Sequence, residues 1–268
     1  MTAIVAALGD THCNSYFGLC PPYFEHPGGK HIANPAQRIL WRHWKGYIER
    51  VAAVKAEHNA PLITVLNGDV CDNDNARSSS FIVYSDTQMM RLTYAALRSL
   101  LDISDKVYVV NGTPSHTRSF EDKFGEDVGA ENDGVSFAKW SWKLNVEGVR
   151  IWFGHHGPMG RLPHTFRMAG TKLAADTMAK CALMRPKRRP PDVIFRSHQH
   201  RWSDSFDNYD TRGVYLAAWQ LPTPYIYRLD ADAQPEVGGV IMVCENGRYS
   251  LEKYRASYSV EREVKVVL

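Results

Sequence analysis

Short apolar runs that stop at Asp or at Asn-Gly, separated by stretches of helical periodicity, constrain the fold of this 268-residue chain more than any other feature. TAIVAAL (residues 2–8) stops at Gly9-Asp10, LITVL (62–66) at Asn67-Gly68-Asp69, and KVYVV (106–110) at Asn111-Gly112. Runs this short and this apolar predict buried strands. Between the first two, Trp41, Trp44, Ile48, Val51 and Val54 recur at helical spacing, which predicts a helix over 35–58. Asn34-Pro35 starts it, a capping side chain followed by proline at the first helical position. Met89, Leu92, Ala96, Leu100 and Ile103 share one face of a second helix expected over roughly 80–103. Strand, helix, strand, helix, strand predicts parallel strands joined by helical crossovers.

The second half changes character. Residues 139–146 and 149–154 alternate about Glu147-Gly148, a hairpin signal. A helix is expected over 166–184, a strand over Asp192–Arg196, and hairpins over 204–217 and 238–254, the latter turning at Asn246-Gly247. Residues 13–34, rich in Pro, Gly and aromatics, are expected to be a long loop. With no repeat and no break in composition, a single domain over 1–268 is expected, long enough to bury a core. Hydrophobic residues at 44% and charged residues at 23% exclude wholesale disorder.

No apolar run approaches the roughly 18 residues of a membrane-spanning helix. The opening MTAIVAALGD has neither basic leader nor cleavage site, so no membrane partner and no signal peptide are expected. The five cysteines are scattered, odd in number and never spaced C-x-x-C, which fits a reducing cytoplasm. A net charge of +3 is too mild to demand nucleic acid.

The chemistry follows the strands. Asp10 and His12 come after the first, Asp69 and Asp72 after the second, and Asn111, Thr113 and His116 after the third. His155-His156 ends IWFGHH, and His198 and His200 end VIFRSHQH. Taken singly, each has an ordinary explanation: strand-end Asp caps helices, and paired His occurs in turns. His198-Gln199-His200 says more, because alternate residues of an extended segment face the same way. Strand carboxyl ends converge at one sheet edge, where open α/β folds bind ligands. Five sets of such residues there point to a shared metal site. Carboxylates and imidazoles suit Mn²⁺, Fe, Zn²⁺ or Ni²⁺, with Mg²⁺ as a further alternative. Two Asp and four or more His exceed what one open ion needs. A pair of ions about 3.5–4 Å apart is standard apparatus for displacement at phosphorus.

The blocks Asp10-Thr11-His12, Gly68-Asp69-Val70-Cys71-Asp72, Asn111-Gly112-Thr113-Pro114-Ser115-His116, His155-His156-Gly157-Pro158 and Ser197-His198-Gln199-His200 together resemble the motifs of the calcineurin-like metallophosphoesterases. The opening GDTHCNSYFGLCPP is more specifically similar to phosphoesterases carried by phages and prophages. The resemblance implies a four-layer α/β/β/α sandwich of two mixed sheets flanked by helices. It implies Asp10, His12 and His200 on a first ion, Asp69 bridging, and His155 and His198 on a second, with His156 just outside, while either His155 or His156 stays open as the ligand of that adjacent pair. It further implies hydrolysis of a phosphoester by a hydroxide activated by two divalent ions, Mn²⁺ preferred. Phosphodiesters of nucleotides or nucleic acid are the favoured substrates.

One departure stands out. The family's third motif has Asn on the second ion and, next to it, the His that handles protons. Aligning VVNGT with that pattern puts Thr113 in the Asn position and delays the His to His116. Asn111, Thr113 and His116 are thus all candidates to complete the second site. His116 is the candidate proton donor, and Thr113 and Arg118 are candidate substrate contacts. Protein phosphatases carry paired arginines near this motif, whereas here Arg118 stands by itself. A phosphomonoesterase or protein phosphatase, and a scaffold of the same fold without catalysis, are the competing functions. The 13–34 loop is expected near the metals, its Tyr16, Phe17, Tyr23 and Phe24 packing the loop down rather than stacking on a base. Arg185, Lys187, Arg188 and Arg189 are expected in a solvated loop, and Trp140, Trp142 and Trp152 in the core.

Overall fold

β1 (Thr2–Leu8) is apolar throughout because both of its faces are covered. The computed structural model describes residues 1–73, 80–117, 119–158, 165–229 and 236–257, and in it Ala3 to Leu8 are all buried. Ile4, Ala6 and Leu8 pack with a helical layer, while Ala3, Val5 and Ala7 pack with a second sheet. β2 (Tyr23–His26) and β3 (Gly29–Ile32) then pair as an antiparallel hairpin inside the segment expected to be loop.

α1 (Pro35–His58) opens on a complete capping box, Asn34 accepting from the Gln37 N–H and Gln37 accepting from the Asn34 N–H. It buries Leu40, Trp44, Tyr47, Val51 and Val54, each contributing roughly 1.5–3 kcal/mol. β4 (Leu62–Leu66) leads to α2 (Asp86–Leu101), which starts later than its periodicity suggests because Ser85 caps it. β5 (Lys106–Val110), the single turn α3 (Pro114–Thr117), α4 (Phe120–Asp127) and β6 (Ala138–Lys139) follow. β7 (Trp142–Val146), β8 (Val149–Phe153), α5 (Ala169–Leu183), β9 (Val193–Arg196), β10 (Ser203–Asp204) and β11 (Arg212–Tyr215) come next. α6 (Pro224–Leu229), β12 (Gly238–Glu245) and β13 (Arg248–Arg255) complete the described elements.

Apart from the β2–β3 hairpin, the described strands form two mixed sheets. One runs β13-β12-β1-β4-β5-β6, with β1, β4, β5 and β6 parallel and β12 antiparallel to both β1 and β13. The other runs β10-β11-β9-β8-β7, with β9 parallel to β8 and β11. Val5, Ala7, Val65 and Val110 of the first meet Ile151, Phe153, Val193, Phe195 and Val214 of the second. α1 and α2 cover the outer face of the first sheet, and α5 packs Leu173 on Ile194 and Tyr215 outside the second. The result is the expected α/β/β/α layering of two mixed sheets and helices.

Two expectations are corrected. Residues 138–139 join β5 in the first sheet rather than extending β7, so the chain crosses between sheets at residues 140–141. Trp142 is buried and donates its indole N–H to Val109 O across the sheets at 2.7 Å, but Trp140, at the crossing, is 62% exposed. Of the loop aromatics, Phe24 is buried while Tyr16 and Tyr23 are exposed. The five cysteines are free and buried, and no described helix is long and apolar enough to cross a membrane.

Candidate metal centre

The two sheets present their strand ends to each other. β1, β4 and β5 deliver Asp10-His12, Asp69-Asp72 and Thr113; β8 and β9 deliver His155-His156 and His198-His200. Backbone pairing continues past the strands and fixes these loops. Asp10 N–H donates to Gly68 O, His12 N–H to Asp69 O and Cys13 N–H to Val70 O, each at 3.0 Å. On the other sheet Ser197 N–H donates to His155 O at 2.9 Å. Asn67 ties the sheets together, its amide donating to Gly154 O at 3.1 Å and Ser197 Oγ at 2.7 Å.

The approach is close enough to require glycine. A Cβ on Gly68, whose φ is +86°, would lie 2.4 Å from His155 Nδ1. One on Gly112 would lie 2.2 Å from Asp69 Oδ1. Five residues of the site, Asp10, His12, Asp69, His198 and His200, hold positive φ without being glycine, out of ten such residues described. Each such conformation costs on the order of 1–3 kcal/mol and persists where the surroundings over-determine it, as at active sites.

Four overlapping groups of donors result, the ligand atoms of each lying within 4.8 Å of one another: Asp10, His12 and His200; Asp10, Asp69 and His155; His155, His156 and His198; and His12, Asp72 and His116. His12 Nε2 stands 3.1 Å from His200 Nε2, and Asp10 Oδ1 stands 3.4 Å from the latter. Asp69 Oδ2 lies 3.0 Å from His155 Nε2 and 3.9 Å from His198 Nδ1. Asp69 Oδ1 accepts from the Thr113 N–H at 2.5 Å. Asp10 accepts from the His198 N–H at 3.0 Å.

A further ring of partners orients the imidazoles. His155 Nδ1 donates to Asn67 O at 2.9 Å, which turns Nε2 toward Asp69. Asp72 Oδ1 holds two histidines at once, His12 Nδ1 at 2.6 Å and His116 Nδ1 at 2.9 Å. Such carboxylate and carbonyl partners set the tautomer and basicity of metal-ligating His.

The electrostatics match a cation cradle. Burial would raise Asp69 and Asp10, but His155 and His198 beside Asp69, and His200 and His155 beside Asp10, hold both carboxyls below their ordinary range. Burial would lower His12, but Asp72 pushes it up to about 9. Asp10 and Asp69 likewise overcome burial and push His155 up to about 9. Burial together with the neighbouring His155 and His198 brings His156 down to about 4. Buried carboxylates thus draw positive charge into the cluster. Imidazole nitrogens facing each other at 3.1 Å share one proton at most, whereas both can bind a cation. The donor set fits divalent ions: Asp10, His12 and His200 would hold one, His155 and His198 another, with Asp69 between them.

Asp10, His12, Asp69, His155, His198 and His200 therefore lie together, with Thr113 among them and His116 against Asp72. Asn111 does not join them. β6 lies alongside, the Asn111 N–H donates to Lys139 O at 2.9 Å, and its side-chain amide donates to Ala138 O at 3.1 Å. Arg118 lies outside the described residues. Asp72, which holds His12 and His116, and His156, which stands with His155 and His198, have roles that the motifs alone do not assign. The G-D-x-x-D spacing and the doubled histidine were the available signals.

No protein-family model and no curated protein matches this chain. Among solved structures, the chain is similar to the sulfate thiohydrolase SoxB of Thermus thermophilus in complex with glycerol, with 12% identity and a TM-score of 0.43. That likeness covers 95% of this chain and 56% of SoxB, so the chain spans little more than half of it. It is also similar to a dimetal phosphatase from Danio rerio, with 9% identity, a TM-score of 0.46, and coverage of 95% of this chain and 96% of that one.

Proposed function

We propose that this protein is a metal-dependent phosphoesterase that works with two divalent cations, Mn²⁺ preferred, on phosphodiesters of nucleotides or nucleic acid. The observation that carries the reading is the convergence of Asp10, His12, His200, Asp69, His155 and His198 from four strand ends into overlapping donor groups. Bound there, a cation pair supplies Lewis-acid stabilisation of phosphoryl charge and water acidic enough to attack at neutral pH.

The chain's own residues do the rest. Asp69 is the shared carboxylate, oriented by the Thr113 N–H and by the Thr113 hydroxyl 3.1 Å from Oδ2. His116, its Nδ1 bonded to Asp72, is the proposed proton donor to the departing oxygen. The preference for diesters rests on the sequence, where Arg118, a proposed substrate contact, stands in place of paired arginines. The five free, buried cysteines support a reducing cytoplasm.

The test is hydrolysis of bis-p-nitrophenyl phosphate and p-nitrophenyl phosphate by protein stripped with chelator and reloaded with Mn²⁺. Diester turnover above monoester turnover is expected, with a loss of about 10²–10³-fold in Asp69→Ala, a size typical of removing one electrostatic stabiliser. Wild-type turnover by Asp69→Ala overturns the site assignment.

A further inference from the structure

The third motif departs from its resemblance, and three histidines gather where it does so. Thr113 Oγ1 has Asp69 Oδ2 at 3.1 Å, His156 Nε2 at 3.2 Å, His198 Nδ1 at 3.2 Å and His155 Nε2 at 3.4 Å. A hydroxyl has one proton and two lone pairs and cannot bond all four. The three imidazoles approach one another with ring centroids 4.6–5.2 Å apart, and their ligand atoms lie within 4.8 Å of one another. Nitrogen donors about 2.1 Å from one tetrahedral ion are separated by roughly 3.4 Å. The ligand atoms of the three imidazoles all lie within 4.8 Å of one another, so small rotations of the rings bring them to that spacing.

Adjacent residues reach one point here because the strand has ended. β8 stops at Phe153, so the alternation that sends neighbours to opposite faces no longer applies at His155 and His156. The two rings stand at 85° to each other. His156 is the solvent-facing member of the group.

We propose that His156 takes the ligand position that Asn111 leaves, so that the second pocket is a three-imidazole site of His155, His156 and His198 closed by Asp69. This rests on the two-cation reading and gives it a metal selectivity. The pocket of Asp10, His12, His200 and Asp69 offers two carboxylates and two imidazoles. The pocket with His156 offers three imidazoles and one carboxylate. Imidazole-rich sets favour Zn²⁺, Ni²⁺ and Fe, while oxygen-richer sets accept Mn²⁺ and Mg²⁺. The centre therefore loads unequally, with a zinc-like ion in the three-imidazole pocket and Mn²⁺ in the other.

The full chain, stripped of metal, given one equivalent of Zn²⁺ and then dialysed against excess Mn²⁺, tests this by elemental analysis. Wild type is expected to hold two ions, one of them zinc. His156→Ala and His156→Gln are expected to lose zinc affinity by at least tenfold, while His200→Ala keeps zinc and loses manganese. In the unaltered protein, one equivalent of Zn²⁺ is expected to shift the ¹⁵N resonance of His156, a readout that needs no variant. Two ions in wild type with unchanged zinc affinity in both His156 variants, or an unmoved His156 resonance, overturns this assignment and leaves the two-cation reading standing. A wild type that binds no divalent ion overturns both.

Discussion

Two clusters of buried charge hold the sheets together, and they neutralise their carboxylates differently. At the sheet edges, Asp204 on β10 accepts a bidentate pair of bonds from Arg212 on β11, at 3.0 and 2.7 Å, and a bond from Lys253 on β13 of the other sheet. In the loops after the inner strands, Asp10, Asp69 and Asp72 face only imidazoles in their ion pairs among the described residues. Arg and Lys keep their charge at any physiological pH, and the backbone at Asp204 needs no positive φ. Imidazoles surrender a proton to a competing cation, and their backbones are strained. Permanent partners on relaxed backbone mark a structural cluster; exchangeable partners on strained backbone mark a site for something else to bind.

The largest effect that separates the two is on stability. Asp204 is 2% exposed, with Arg212 at 20% and Lys253 at 11%. Removing one member of such a group leaves buried charge without compensation, at about 3–5 kcal/mol. Asp204→Ala is expected to lose that much in urea unfolding while the folded fraction binds Mn²⁺ as wild type does. A loss of Mn²⁺ binding without a loss of stability would invert the comparison.

Next in size is the effect of metal itself. A ligand that binds only the folded state stabilises it by about 2.7 kcal/mol at one hundred times its Kd. Mn²⁺ at that excess is expected to raise the Tm of wild type and of Asp204→Asn equally, and to leave Asp69→Ala unmoved, as read by scanning calorimetry. An equal rise in Asp69→Ala would place the binding elsewhere.

Asp72 lies between the two kinds of cluster, a carboxylate that touches two histidines and belongs to their support. Asp72→Asn keeps the shape and removes the charge that raises His12. Partners of this kind are worth about 10–100-fold in metal affinity. That loss is expected in Asp72→Asn by calorimetric titration with Mn²⁺, together with an altered pH profile of diester hydrolysis, because His116 shares the same oxygen. Unchanged affinity and profile would make Asp72 a packing residue.

These contrasts also mark what could be read from sequence. The runs 2–8, 62–66 and 106–110 announced themselves because burial leaves little room for polar residues in them, and the ligands at their ends inherit that clarity. The β2–β3 hairpin did not, since Tyr23 and Ile32 face solvent and backbone pairing holds it together. β6 is two residues long and leaves no pattern, yet it decides the fate of Asn111. The contact of Asp72 with His12 spans 60 positions and lies in no local spacing. The doubled histidine does not itself say which ring turns inward, because that depends on where β8 ends, and it ends at Phe153, before both. The pairing of Asp204 with Lys253 joins the edges of separate sheets, which hydropathy does not register.

The smallest difference between the clusters lies in the acid limb of stability. Burial pushes Asp204 up, but the bonds from Arg212 and Lys253 more than reverse it and hold the carboxyl below its ordinary range. The folded form thus releases this proton at lower pH than the unfolded chain. Its stabilisation is complete above the unfolded carboxylate value near about 3.9 and is lost as pH falls through the folded one. One group contributes at most about 1.4 kcal/mol per pH unit. Asp10, Asp69 and Asp72 are lowered too and act in the same window, so neither cluster owns the limb by itself. Asp204→Asn is expected to unfold with a shallower dependence on pH between about 5 and 3, the remainder coming from the metal centre. Urea midpoints across that range measure it, and a slope equal to wild type would show that the Asp204 carboxyl titrates alike in the folded and unfolded chains.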